Sequence, residues 1–389
     1  MVYQRKAKMP NTPSVSSGCG VYQTPIDIDN LKLYHALMSD LIYTKIYAKI
    51  KEAKNILLVT HERPDIDAVA SACALAELLD SLGATYNIYS PGPVPHQFNF
   101  IPHIEKVGTD KAAFDFKNFD LIIVFDCGSV ARTGLAPEIA GRNKNQYVVE
   151  MDHHFHPAPS TQTLNNAGKV YSKSIDSGKL HSAIEMGGVK NGNYADLELR
   201  ESAASTTEIV YNFLKTNKIK ISKNAANCIL AGILTDSGNF LYPSTSNKTV
   251  EISSEMLVRG ANLGLILENS WRNKSLPALK IWGEALSRLV QNDKYKIAFS
   301  VLTLKDIEGI DEEDLEGISN FLGNLDGVKA VLLLREQKNG TVRGSLRSAH
   351  PTADVAALAR ALGGGGHVKA SGFTIEGRLE KIERGWRVV

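Results

Sequence analysis

The stretch NILLVTHERPDIDAVASACALAELLDSLG, residues 55–83, decides the fold. It opens with ILLVT at 56–60, a continuous apolar run of the kind buried on both faces of a sheet. A polar segment follows, and AVASACALAELLDSLG then reads as a helix. The same alternation recurs downstream, where YNIYS (86–90), LIIVF (121–125) and YVVEM (147–151) are short apolar runs separated by helical stretches. Apolar strands that alternate with helices indicate a parallel sheet covered on both sides, and hence an α/β fold.

Upstream, residues 30–54 repeat apolar side chains at three- and four-residue steps and predict a helix. Residues 1–27 are rich in Pro, Ser, Thr and Gly and are expected to form a disordered arm. Downstream, residues 158–192 are polar and glycine-rich with little periodicity, which marks a surface insertion. Helical patterns resume in SAASTTEIVYNFLKT (202–216) and KNAANCILAGILT (223–235). These features group residues 28–250 into one domain. Residues 251–290 read as a helical connector, and residues 291–389 as a smaller α+β domain. In the latter, KIAFSVLT, AVLLLRE and TVRGSLRS are strands, the second and third joined by a hairpin at Asn339-Gly340. A helix, TADVAALARAL, leads into GGGGHVKASGFTI.

The bulk numbers exclude several classes. At 389 residues the chain suits two domains. Its 43% hydrophobic and 22% charged residues are those of a globular protein. A net charge of +2 provides no field to hold long nucleic acid, so an anionic substrate needs a local site. The four cysteines lie far apart without a C-x-x-C pair, which fits a reducing cytoplasm. No apolar run approaches the roughly 18 residues of a membrane span, and no secretory signal is evident at the start. A cytoplasmic protein with no membrane partner is expected.

Acidic residues and histidines follow the predicted strands. ILLVT runs into His61, Asp65 and Asp67; LIIVF runs into Asp126; YVVEM runs into Asp152, His153 and His154. Asp236 follows a further apolar stretch, CILAGILT. The carboxyl ends of parallel strands form the ligand crevice of such sheets, so these residues would converge there. An aspartate at a strand end is often a helix N-cap. A whole set of carboxylates in one crevice, however, repels itself unless a dication is bound. Oxygen ligands mixed with imidazole suit manganese or another first-row metal better than calcium. There are enough ligands for two ions.

HERPDIDAVAS, DCGSVARTG, MDHHFHPAP and AGILTDSGNF, in that order, resemble the four motifs of the DHH phosphoesterase family. GGGGHVKASG resembles the signature of the associated DHHA1 domain. Within the family, the chain looks most like the soluble oligoribonucleases that also dephosphorylate 3′-phosphoadenosine 5′-phosphate. The resemblance implies a two-metal hydrolase. His61 and Asp65 would hold one ion, Asp126 would bridge, and Asp67, His153 and Asp236 would complete the second position. His154 would face the scissile phosphate and Asp152 would orient a histidine. Two departures stand out: Ile66 and Ala70 occupy positions where the family pattern has glycine, which would narrow the approach to the metals. The insertion after the Asp-His-His motif is also longer than the pattern.

Gly363 suffices as a helix C-cap, and the four glycines together exceed that need. Their N–H groups can surround a phosphate. In TVRGSLRS, alternation puts Arg343, Ser345 and Arg347 on one face. The resemblance assigns Arg347, Ser348 and His367 to substrate binding, with Gly364, Gly365 and Gly366 beside them, and leaves Arg343 without a role. Arginine's fork suits phosphate. The other histidines read as packing or surface residues, except His350, which follows the arginine strand closely enough to reach the cleft. The expected substrate is a short oligonucleotide or a nucleotide phosphate such as 3′-phosphoadenosine 5′-phosphate. A cyclic-dinucleotide phosphodiesterase is the alternative within the family. A non-catalytic nucleic-acid-binding scaffold is the alternative outside it, although a scaffold would not need all six ligands. A homodimer stays open.

Overall fold

The computed structural model describes residues 28–154 and 194–389 apart from positions 243, 273, 316, 351, 367 and 384; the side chains of 28–38 and of 313 also lie outside the description. The expected arm at 1–27, the expected insertion at 158–192 and His367 therefore fall outside it.

Helix α1 (Ile28–Glu52) precedes the first sheet, whose strands are β1 (Asn55–Val59), β2 (Thr85–Tyr89), β3 (Val107–Gly108), β4 (Leu121–Phe125), β5 (Tyr147–Asp152) and β6 (Leu197–Arg200). They pair in parallel in the order β3-β2-β1-β4-β5-β6. Helix α2 (Ile66–Leu82) follows β1, and the short helix α3 (Ala136–Ala140) precedes β5. Helices α4 (Thr206–Thr216) and α5 (Lys223–Asp236) follow β6.

Why the strands read as unbroken apolar runs is visible in where their side chains go. Ile56, Leu58, Ile123, Phe125 and Val149 pack into one cluster with α1, α2, α4 and α5. Leu57, Val59, Ile122, Val124 and Val148 pack into a second, with Phe116, Phe119, Leu135 and Ile139. Both faces are covered, so neither can carry polar residues. From β1 the chain runs outward to β2 and β3, then returns to build β4, β5 and β6 on the other side. The switch point therefore lies between β1 and β4, and the crevice opens at their carboxyl ends.

Helices α6 (Asn247–Val258) and α7 (Leu263–Leu267), one π-helical turn (Glu268–Arg272) and α8 (Leu276–Ser287) lead to a second, mixed sheet. Its strands are β7 (Val290–Asn292), β8 (Ile297–Leu302), β9 (Ala330–Glu336), β10 (Thr341–Ser348), β11 (Gly365–Gly366) and β12 (Ala370–Glu376), in the order β11-β12-β10-β9-β8-β7. Only β8 and β9 pair in parallel, joined by a crossover that contains α9 (Ile318–Leu322). The β9–β10 hairpin turns at Gly340, whose φ of 78° suits glycine. Helix α10 (Val355–Ala361), capped by Asp354, sits between β10 and β11. A ribbon of β13 (Leu379–Ile382) and β14 (Gly385–Val388) closes the chain. The architecture is α/β, with a parallel-sheet unit followed by helices and a mixed-sheet unit, as the sequence predicts. Among the described residues, no helix is long and apolar enough to cross a membrane.

Ile66 and Ala70 are buried within the first cluster. Their extra carbon atoms are absorbed by the core beneath α2. Phe213 ties α1 to the sheet unit: it is fully buried and its ring meets Tyr43 and Tyr47 at centroid distances of 6.3 and 6.2 Å. Phe213→Ala should lower unfolding stability by about 3–5 kcal/mol, the usual cost of emptying such a site. Urea denaturation measures this, and a loss below about 1 kcal/mol would show that α1 docks independently of Phe213.

Candidate metal centre

Strand β1 ends one residue before the first polar groups. His61 is buried, and its Nε2 lies 3.8 Å from Asp65 Oδ2 and 3.9 Å from Asp126 Oδ2. Two groups compete for the opposite edge of its ring. Glu62 O, at 2.7 Å, accepts a proton from Nδ1, whereas Arg132 Nη2, at 2.9 Å, would donate to Nδ1. Ligation through Nε2 requires the first arrangement, because the proton must then sit on Nδ1. Asp65 performs two tasks with its two oxygens. Oδ1 caps α2 by accepting from Ala68 N at 3.0 Å, and Oδ2 faces His61.

Asp126 follows β4 with a left-handed backbone, φ 54°. That conformation is uncommon outside glycine, and aspartate is among the residues that tolerate it. Its N–H donates to Met151 O at 3.0 Å, which ties the turn to β5. The buried carboxylate also lies 3.4 Å from His153 Nε2, 3.1 Å from His154 Nδ1 and 3.1 Å from the donating Thr206 hydroxyl.

Asp67 lies inside the first turn of α2, where its carboxylate is held by another helix. Thr206 N donates to Oδ2 at 2.6 Å and Thr207 N to Oδ1 at 3.0 Å. These are the first amides of α4, whose N-terminus favours negative charge. His153 Nε2 stands 3.1 Å from Asp236 Oδ2, and its Nδ1 lies 3.4 Å from Ala203 O. Asp236 itself is the last residue of helix α5. Its position differs from that of the other acids, which follow or end strands, since the apolar stretch before it is helical.

The metal-ligand donors form compact trios. Ligand atoms of His61, Asp65 and Asp126 lie within 4.8 Å of one another, as do those of Asp67, His153 and Asp236. A third trio, Asp126, His153 and His154, overlaps both. Asp152 stands behind them. Its Oδ1 accepts from His154 N at 2.8 Å and contacts His154 Nδ1 at 2.7 Å. Its Oδ2 accepts from Gly128 N at 2.7 Å and from Arg200 Nη1 at 3.2 Å.

The charges explain what this cluster needs. Burial, then the charge of Asp126, pushes the Asp67 carboxyl up to about 7. Burial likewise pushes Asp236 well up, with Asp67, Asp126 and Asp65 adding to it. Asp126 goes the other way: burial opposes ionisation, but hydrogen bonds from His153 and His154 hold its carboxyl well below the usual range. Both imidazoles are raised in return, against the effect of burial, His153 to about 11 and His154 to about 10. The two imidazoles thus carry the positive charge that faces these carboxylates. Carboxylates and imidazoles in two such trios form a donor set that fits two divalent first-row ions.

The second sheet contributes a different set. Arg347 is half-buried on β10, where Nε donates to Asn320 Oδ1 at 2.5 Å and Nη1 to Leu346 O at 2.9 Å. Burial lowers its pKa, and the phenol of Tyr242, on the segment after Asp236, acts on it electrostatically. Ser348 Oγ donates to His350 O at 2.7 Å, and His350 turns its ring to Thr352. Gly364 and Gly366 have a packing reason to be glycine, because a Cβ on either would come within 2.1 or 2.7 Å of a β12 carbonyl. At Gly365 the space is open.

Four participants escaped the sequence reading. Thr206 and Thr207 could have been found through the S-T-T-E run at 205–208, a helix-start signature. Arg200 could not, since an arginine at a strand end has no distinctive spacing. It donates to His154 O at 2.8 Å and Glu150 Oε1 at 2.6 Å, bracing the loop from behind. Gly232 lies in α5 where a Cβ would come within 2.3 Å of Thr207 Oγ1 and 2.4 Å of Asp67 Oδ1.

Two family models match the sequence: the DHH family, N-terminal domain, over residues 55–233, and the DHHA1 domain over residues 294–386. The probable bifunctional oligoribonuclease and PAP phosphatase of Streptococcus mutans is 27% identical over 335 residues, covering 85% of this chain and 92% of that protein. The corresponding enzyme of Bacillus subtilis is 25% identical over 338 residues, covering 85% and 93%. An exopolyphosphatase-related protein from Bacteroides fragilis has a similar structure, with a TM-score of 0.70 at 23% identity, covering 85% of this chain and 90% of that one. At that identity the likeness bears on the fold alone.

Because Gly232 sets the distance between α5 and Asp67, Gly232→Ala should displace that carboxylate. Manganese affinity should fall by at least about tenfold, in the range seen when support of a ligand is disturbed. Calorimetric titration of the folded variant measures this. Two ions bound with unchanged affinity would show that α4 and α5 separate without moving Asp67.

Proposed function

The chain belongs to the DHH/DHHA1 phosphoesterase family, and from that premise we propose that it hydrolyses short oligonucleotides and nucleotide phosphates of the 3′-phosphoadenosine 5′-phosphate kind. The observation that carries the reading is Asp126, whose carboxylate belongs both to the trio with His61 and Asp65 and to the trio with His153 and His154. A bridging ligand is what a two-ion phosphoester site requires. His61, Asp65 and Asp126 would hold one ion and Asp67, Asp126, His153 and Asp236 the other. Manganese is the preferred candidate, and the pair would supply Lewis acidity at phosphorus and an activated water.

The chain's own groups do the rest. Asp152 fixes the His154 ring through Nδ1, so that the other ring nitrogen is the edge offered to the scissile phosphate. Arg200 and the Gly128 N–H hold Asp152 in turn, which keeps this orientation independent of substrate. As water's oxygen bonds to phosphorus, the ester P–O bond breaks and the departing alkoxide takes up the proton that the water gives up. Arg347, Ser348, His367 and the glycines at 364–366 would grip the distal part of the substrate. Residues 28–250 would then carry the chemistry and residues 291–389 the selection of short substrates. Binding energy from such remote contacts positions the reacting phosphate.

A manganese assay on short RNAs, short DNAs, 3′-phosphoadenosine 5′-phosphate and cyclic dinucleotides tests the reading directly. Turnover should be highest on the first three classes; exclusive turnover of cyclic dinucleotides would replace this reading with the other family activity. Asp126→Asn should lower turnover by at least about a hundredfold. His153→Ala should lose both turnover and bound manganese, and His154→Ala turnover alone. Equal manganese loss in the two histidine variants would refute the division of labour between them.

A further inference from the structure

Strand β5 is covered on both faces, yet it carries a carboxylate, Glu150, that no step described so far uses. Glu150 is fully buried and shares one face of the strand with Val148 and Asp152. Its cross-strand neighbours are Val124 on β4 and Glu198 on β6, and Asp152 lies opposite Arg200. Three carboxylates thus surround one guanidinium. Burial pushes the Glu150 carboxyl up to about 7, despite the charge of Arg200. Its Oε1 accepts from Tyr194 Oη at 2.5 Å and from Arg200 Nη2 at 2.6 Å. Its Oε2 is buried and has no hydrogen-bond partner among the described residues. A half-satisfied buried carboxylate costs stability, and an apolar residue of this size would suit the strand better.

That cost is offset by what Glu150 does to Arg200. Each nitrogen of the guanidinium has a different task. Nε donates to Glu198 Oε1 and Nη2 to Glu150 Oε1, which fixes two sides of the planar fork. Of these two anchors Glu150 is the stronger, because its side chain is buried whereas that of Glu198 is 31% exposed. Nη1 is left for the third side, where it donates to Asp152 Oδ2 at 3.2 Å and to His154 O at 2.8 Å. Arg200 therefore takes the Asp152 oxygen that the His154 ring does not use. Oδ1 stays with His154 N and Nδ1, at 2.8 and 2.7 Å. Ring and backbone of one histidine are tied to a single guanidinium, and Glu150 aims that guanidinium.

We propose that Glu150 is a positioning residue for hydrolysis, aiming Arg200 so that Asp152 and the His154 carbonyl are gripped together and the His154 ring meets the scissile phosphate at a fixed angle. The inference rests on the phosphoesterase reading above. Glu150 acts through Arg200, not on the phosphate or the metals. What it supplies is a hydrogen-bond acceptor at one place, since burial disfavours its charge. Glutamine can replace it in that task, and an apolar side chain cannot.

The test uses the manganese-loaded protein and the member of the panel above that wild type turns over fastest. Glu150→Met and Glu150→Gln are each measured with His154 present and in the His154→Ala background. Glu150→Met should lower kcat by about ten- to a hundredfold, the cost of misplacing a reacting group by about an ångström, with KM and bound manganese within about twofold of wild type. Its unfolding midpoint should be no lower than that of wild type, since one of three carboxylates around one arginine is gone. Glu150→Gln should recover kcat to within about threefold of wild type, because the acceptor is kept. In the His154→Ala background, Glu150→Met should change the remaining turnover by less than about twofold, because coupled residues are not additive. Proton NMR gives a second readout. The downfield imidazole N–H resonance that His154→Ala removes should be shifted or lost in Glu150→Met and kept in Glu150→Gln. An unchanged kcat in folded Glu150→Met overturns the proposal. So does an equal fall with and without His154, or a loss of bound manganese, since each places the effect elsewhere. Glu150→Gln as slow as Glu150→Met overturns it as well. Should Glu150→Met fail to fold, Glu150→Asp, whose carboxyl stops one methylene short of Arg200, is read in its place by the same comparisons. Wild type that turns over no member of the panel overturns the phosphoesterase reading, and the His154 resonance then still reports whether Glu150 holds the ring.

Discussion

The mutual repulsion of Asp65, Asp67, Asp126 and Asp236 is the constraint around which the first half of this protein is arranged. Two of the four are almost wholly buried, where water cannot screen them. The fold answers with oriented dipoles. Asp65 accepts from the N-terminal turn of α2, and Asp67 accepts two amides from the N-terminus of α4. Asp126 draws on a threonine hydroxyl and two imidazoles. Asp236 is met by the His153 imidazole at 3.1 Å and by no helix N-terminus. It ends helix α5, where the macrodipole is negative, and its carboxyl is pushed well above the usual range by burial. The cluster is therefore most stable with positive charge inside it, which is what a metal centre supplies.

The sheet makes this arrangement reachable. Strands β1 and β4 are neighbours only because the chain builds outward from β1 in one direction and then in the other. That reversal leaves no helix crossing directly above their carboxyl ends, and the segments carrying His61 to Asp67 and Asp126 share the gap. Close packing completes it. At Gly232, the absence of a side chain lets α5 approach Asp67 and Thr207 closely enough to hold both. The stiffness of the site thus comes from helix contacts rather than from the acidic loops.

The mixed sheet has a complementary character. Where the parallel unit concentrates negative charge, β10 presents Arg343 and Arg347 on one face, and Arg335 lies beside them. Opposite potentials on the two units are what the proposed grip on an anionic substrate would use. The glycine run fits the same surface, but for mixed reasons. Gly364 and Gly366 are glycine because the β12 backbone lies against them, whereas Gly365 opens outward. A string of identical residues conceals that difference.

Much of this was legible in the sequence because local pattern and burial agree. Continuous apolar runs such as LIIVF announce strands covered on both faces, and polar residues directly after them lie at the crevice by the geometry of parallel sheets. The Asp-Gly-free motif around Asp65 and the paired histidines after β5 were visible for the same reason. Other features depend on approach between distant segments. The cap on Asp67 comes from residues about 140 positions away, at Thr206 and Thr207. Arg200 reaches Asp152 only because β6 lies beside β5. The helical placement of Asp236 likewise follows from packing. By itself, then, the sequence determined the strands, the order of the ligands and the family, since those are written in neighbouring residues. Only the tertiary structure decided which dipoles, glycines and arginines support the charges, because hydrogen bonds and repulsion act through space, not along the chain.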